Sequence, residues 1–117
     1  ILGVSKNYES MAIGGKVSEQ QRVQFHILDP KAARSDLKIQ LETAKKLLPD
    51  PAGALFFSCI GRGERFYGRP NHDTKQFMKV FPDCPIGGFF CNGEIGPVGP
   101  ATFLHGFTSS FAIFSPP

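Results

Sequence analysis

The chain has no tryptophan and only two tyrosines, against twelve phenylalanines in 117 residues. A core built from it is therefore filled by aromatic rings with no polar handle to satisfy. Its three cysteines, Cys59, Cys84 and Cys91, form no CxxC pair. An odd count without metal spacing excludes a disulfide framework and argues for reduced thiols in a cytoplasmic setting. No charged n-region followed by an apolar h-region opens the sequence, and no apolar run reaches membrane-spanning length. The formal net charge is a mild +3, with Lys and Arg dispersed. The basic stripe expected of a nucleic-acid binder is missing. Apolar content of 41% and charged content of 20% are those of one folded domain. The sequence begins at Ile1 inside an apolar run, so residues 1–117 are expected to be one domain excised from a longer protein.

What is present reads in order. Ile1–Val4 and Met11–Gly15 suggest a hairpin, and Val23, Phe25 and Ile27 alternate with Gln24 and His26 as a half-buried strand. Asp29-Pro30 opens a helix, because Asp accepts from an orphan N–H and Pro needs none at that position. Its buried stripe is Ala33, Leu37, Leu41, Ala44 and Leu48, and Pro49 stops it. Lys31, Arg34, Lys38 and Lys45 are most simply its solvated face. Ala54–Ile60 is a continuous apolar run, a strand buried on both faces. Asn71 or Asp73 caps a second helix, Thr74–Phe81, beside which His72 reads as local structure.

Ile86–Cys91 is another strand. It breaks into Asn92–Pro100, too rich in Gly and Pro for regular structure, before alternation resumes from Phe103 to Phe114 as a central strand. The expected fold class is therefore α+β, a single domain. A mixed, mostly antiparallel sheet in the order β-β-β-α-β-α-β-β carries two helices packed on one face.

Catalytic constellations are weak. Cys59 ends a buried strand near Arg62, where a cation lowers a thiol pKa, but no His holds a motif position relative to it. A metal would need His72, His105 and a third ligand to converge from spacings that are no signature. Glu94 is the one acid embedded in apolar sequence, and acid–base hydrolysis needs two. The sequence supports no enzyme mechanism and calls for no cofactor.

A binding site fits better. The turn Cys59-Ile60-Gly61-Arg62-Gly63 and the loop Asn92-Gly93-Glu94 both follow apolar strands. If those strands are parallel neighbours, both loops open at one sheet edge, where α/β ligands bind. Glycine there lets backbone N–H groups approach a ligand closely. The candidate ligand-binding residues are Ser58, Cys59, Gly61, Arg62, Gly63, Cys91, Asn92, Gly93, Glu94 and His105. Arg62 would take an acidic group, and Asn92 and Glu94 an amine or hydroxyl, as suits a small zwitterionic metabolite. A plainer account also stands, in which Asn92–Pro100 is a long connection and Glu94 is solvated.

Several of these segments in register carry a resemblance. Ala54–Gly63, Asn71-His72-Asp73, Gly88–Pro97 and Phe103–Thr108, with Val23–His26 upstream, resemble the C-terminal half of the FIST family over nearly the whole chain. The resemblance implies a non-enzymatic sensory module of the kind found in bacterial signal-transduction proteins and eukaryotic F-box proteins. The small ligands proposed for such modules include amino acids. It implies as partners a small molecule, the FIST N-terminal half in the parent chain and a protein partner of the parent. The dispersed charge and the lack of a long apolar run lead to the expectation of no nucleic acid and no membrane. It supplies no catalytic residues to carry over. The alternative it leaves is a protein-interaction or substrate-recognition module of an F-box ubiquitin-ligase adaptor.

Overall fold

In the computed structural model, which describes residues 1–117, the core forms where one helical stripe meets one face of a small sheet. Helix α1, Pro30–Leu47, starts as its sequence requires: the Asp29 carboxylate accepts from the N–H groups of Lys31 and Ala32, both at 3.1 Å. Lys45 and Lys46 occupy its last turn, and the Lys45 ammonium donates to the Pro49 carbonyl beyond the helix end. Leu37 and Leu41 are its buried residues.

The central strand is β3, Gly53–Cys59. Strand β4, Ile86–Cys91, lies parallel to it, and β7, Ser109–Phe114, lies antiparallel on its other side. Between β3 and β4 the chain makes a 3-10 turn (Ile60–Arg62), a short helix α2 (Glu64–Tyr67) and helix α3 (His72–Val80). Ala54 on β3, Leu37 and Leu41 on α1, and Phe77, Phe81 and Cys84 form the core, with Phe111 stacked between Phe56 and Phe77. Burying a phenylalanine as fully as Phe77 or Phe81 stabilises by about 1.5–3 kcal/mol. Strand pairing is tight at Gly88, where a Cβ would stand 1.8 Å from the Phe56 carbonyl oxygen. Only glycine fits there.

Two hairpins complete the chain: β1 (Gly3–Ser5) with β2 (Ser10–Ala12), and β5 (Glu94–Val98) with β6 (Ala101–His105). No helix is long and apolar enough to cross a membrane.

The fold is the expected single α+β domain, with both long helices on one sheet face, but four details differ. Val23–Ile27 forms no strand, and residues 13–29 carry no regular structure. The Gly- and Pro-rich stretch contains a strand, β5. A two-stranded ribbon accommodates Pro97 because both of its strands are edges. The run Phe103–Phe114 is not one central strand. It breaks at Phe107, whose φ of 62° is left-handed, so its halves join β6 and β7, and β7 is an edge. The second helix begins at His72 rather than Thr74, and the 3-10 turn and α2 are additional.

Candidate functional site

The parallel pairing of β3 with β4 sets the site. Cys59 stands opposite Cys91, so the turn after β3 and the loop after β4 leave the sheet at the same edge. Two carboxylates are buried near that edge, and each has a different set of partners.

Asp73, in the first turn of α3, is the hub of the first set. Its Oδ2 accepts from the Arg62 Nε–H at 2.9 Å and from the Ser109 hydroxyl at 2.9 Å. Its Oδ1 lies 2.8 Å from His72 Nδ1. Burial alone would push the Asp73 carboxyl up, but Arg62, His72 and Ser109 together hold it below the usual carboxylate range. Burial pushes the His72 imidazole down, outweighing the attraction of Asp73, so the ring is neutral. Its Nδ1–H donates to Asp73, which leaves Nε2 a lone-pair acceptor that no protein group meets. Tyr67 stacks on His72 with centroids 3.8 Å apart, and the Arg34 and Arg62 guanidinium groups lie over the tyrosine ring. The Tyr67 hydroxyl is raised above its ordinary value, first by burial and then by the Asp73 charge.

Glu94 is the hub of the second set and is only 1% exposed. Its Oε1 accepts from the Gly93 N–H at 3.2 Å and the Cys91 thiol at 3.5 Å. Its Oε2 accepts from the Thr108 hydroxyl at 2.9 Å and the Thr108 N–H at 3.2 Å. Burial pushes Glu94 up, and these bonds, led by the Thr108 hydroxyl, bring it below the ordinary value. The carboxylate thus pins the loop after β4 to the turn before β7. One turn links the two hubs: Arg62 donates to the Phe107 carbonyl at 3.5 Å, and the next residue, Thr108, donates to Glu94.

A cavity of about 570 Å³ opens between β4 and the start of α3. Ser58, Arg62, Glu64, Asn71, His72, Asp73 and Thr74 give it a polar side, with Gly63 between them, and Phe56, Ile86, Phe89 and Phe90 an apolar one. Asn71 makes no side-chain capping bond, so first-turn N–H groups of α3 stay open on that side. Ser58, Arg62 and Gly63 are the expected site residues that line this cavity. Arg62 and His105 line a second, of about 500 Å³, between α1 and β7.

The remaining expected residues are placed otherwise. Cys59 is buried, and its N–H donates to the Thr108 carbonyl. Gly61 lies under the Phe107 ring, where a Cβ would approach to 2.6 Å. The Cys91 thiol points to the Ser58 carbonyl and to Glu94. Asn92 is exposed, Gly93 serves Glu94, and His105 Nε2–H donates to the Gly96 carbonyl at 3.0 Å. Sequence reasoning missed His72 and Asp73, which it read as the local chemistry of a helix start. Their signal was the Asn71-His72-Asp73 triplet that helped carry the family resemblance.

The FIST C domain family model matches residues 1–97. The chain belongs to that family. The FIST C domain is a domain associated with signal transduction. Among curated relatives, an uncharacterized protein of Mycobacterium tuberculosis (strain ATCC 25618 / H37Rv) is 41% identical over 115 residues, covering 97% of this chain and 30% of the relative. An F-box/LRR-repeat protein of Arabidopsis thaliana is 31% identical over 128 residues, covering 95% of this chain and 24% of that protein. Human F-box only protein 22 is 49% identical over 41 residues, covering 34% of this chain and 10% of its own. This FIST C domain therefore spans about three tenths of the length of the mycobacterial relative.

Proposed function

We propose that this FIST C domain is a non-enzymatic sensory module that binds a small ligand, an amino acid or related metabolite, in a cytoplasmic signal-transduction protein. The observation that carries the reading is the cavity beside β4. It joins an open helix start and the Arg62 guanidinium to an apolar wall of Phe56, Phe89 and Phe90. A ligand carboxylate would lie at the first turn of α3, where open N–H groups and the helix dipole favour an anion. Its side chain would lie on the phenylalanines. The FIST N-terminal half of the parent protein is the expected neighbour.

Thermal shift across a panel of amino acids and related metabolites tests this. A ligand at a hundred times its dissociation constant stabilises by about 2.7 kcal/mol. The shift should vanish in Phe90→Glu, which puts a charge on the cavity wall at a half-exposed position. A panel without a binder, or a ligand bound equally by wild type and variant, would refute the assignment.

A second reading, a protein-interaction or substrate-recognition module, is favoured by the F-box names of two relatives. The sheet face away from the helices also favours it, since Leu55 and Phe114 are exposed there. Capture of one specific partner, lost on Phe114→Asp and accompanied by no metabolite shift, would select it.

A further inference from the structure

A groove runs along the outer edge of β7. Strand β7 pairs with β3 on one side only, so its other edge presents unpaired backbone groups. The second cavity runs along that edge, walled by Gln40 and Ala44 of α1 and by Gly96 and Val98 of β5, and reaches Phe111 and Ile113 of β7. Just before α1 lies a segment with the opposite problem. Val23, Phe25 and Ile27 alternate with Gln24 and His26 in the period of a half-buried strand, yet they are 56%, 66% and 88% exposed.

Handedness connects the two. Strand–helix–strand crossovers between parallel strands are right-handed in nearly all proteins. The crossover β3–α3–β4 carries its helix on the same sheet face as α1, because Leu37, Leu41, Phe77 and Phe81 share one core. Two crossovers of one hand, on one face, step across the sheet in the same direction. A strand feeding α1 into β3 must then lie on the side of β3 away from β4, and β7 is the strand already there.

Direction agrees as well. Near its start α1 is tied to the far end of β3's connection, where Arg34 donates to the Tyr67 carbonyl at 2.8 Å. The helix ends beside the beginning of β3. A strand ending at Ile27, three residues before Pro30, would run parallel to β3 and so antiparallel to β7, with Leu28 and Asp29 as an ordinary short connection.

We propose that the free edge of β7 is a strand-binding groove and that its occupant is Val23–Ile27 of this same chain, completing a sheet of order β4-β3-β7-(23–27). Docked, Val23, Phe25 and Ile27 face α1 and extend the Phe111–Ile113 surface, while Gln24 and His26 face the hairpin. The proposal does not depend on the ligand reading.

Hydrogen exchange followed by mass spectrometry on the full 117-residue chain tests it. Amides of residues 23–27 should exchange at least about tenfold more slowly than in the free peptide. Phe25→Asp should abolish that protection and speed exchange along β7, with the amides of α3 unchanged as the control for folding. Free-peptide exchange in wild type, or a β7 indifferent to Phe25→Asp, would overturn the proposal. Protection found only in a dimer by light scattering would also overturn it, since the occupant would then come from a second copy.

Discussion

Arg62→Met is the most informative single change, because it removes one half of a buried ion pair. Beside the pair it removes only the long bond to the Phe107 carbonyl and the contact with the Tyr67 ring. The guanidinium and carboxylate are 8% and 4% exposed and 2.9 Å apart. At an effective dielectric near 20, that separation corresponds to an attraction of about 6 kcal/mol before desolvation is subtracted. Removing one partner of such a pair typically costs about 3–5 kcal/mol, because the other charge stays buried. Asp73 would keep the His72 and Ser109 donors, so the lower end, about 3 kcal/mol, is expected here.

Urea unfolding at pH 7 measures the loss as a shifted midpoint at constant slope. The double variant Arg62→Met/Asp73→Leu should be more stable than the sum of the two single losses predicts, by at least about 1 kcal/mol. The dependence on pH has a definite sign. The folded Asp73 carboxyl lies below its unfolded value of about 3.9, so the pair stabilises the fold fully above that pH. The contribution disappears as pH falls through the folded value. The gap between wild type and Arg62→Met should therefore be widest near pH 7 and close below about pH 4. A loss under about 1 kcal/mol, as for an exposed pair, would refute the reasoning. So would a gap that stays constant down to pH 3.

His72 should impose a milder acid sensitivity. Burial lowers its folded pKa, so stability is complete above the unfolded value of about 6.5 and falls as pH drops below it. A melting series from pH 8 to 5 should show that slope in wild type and a flatter one in His72→Gln; equal slopes would exclude His72 as its source. Glu94→Gln keeps size but turns an NH₂ group toward donors, from Gly93 and Cys91 or from Thr108. Each buried donor left unsatisfied costs about 1–3 kcal/mol, so a loss of about 2–4 kcal/mol in urea unfolding is expected. A neutral effect would mean that the two loops are not held by this carboxylate.

Much of the fold was legible because its signals are local. Asp29-Pro30 and Pro49 bound α1 on chemistry within one turn, and the apolar runs at Ala54–Ile60 and Ile86–Cys91 are the two parallel strands. What the sequence hid depends on partners far along the chain. The break at Phe107 follows from a left-handed residue that carries no glycine signal. Strand β5 exists because β6 folds back on it, and Gly96 and Pro97 hide that pairing from a local reading. The alternation at Val23–Ile27 is a sound strand signal whose pairing partner lies more than eighty residues downstream on the reading proposed above.

The candidate site shows the same division, and the division bears on what it would bind on the proposed reading. Sequence patterning brought the turn after β3 and the loop after β4 to one edge, but it could not say which charges meet there. Arg62 lies with Asp73 across the β3–α3 connection, and Glu94 faces inward to Thr108. In consequence the cavity is not net positive: Arg62 and Asp73 cancel, His72 is neutral, and the exposed Glu64 adds a further acidic side chain. A polyphosphate would find no surplus of positive charge there. What remains for an anionic group is the uncapped start of α3, worth about 0.3–1 kcal/mol at an exposed helix end. The guanidinium also has N–H groups beyond those bound to Asp73 and Phe107. On the proposed reading these would hold one carboxylate, and the adjoining phenylalanine wall would supply the rest of the affinity through apolar contact. Of the small ligands proposed, those with a single acidic group and an apolar side chain suit this cavity best.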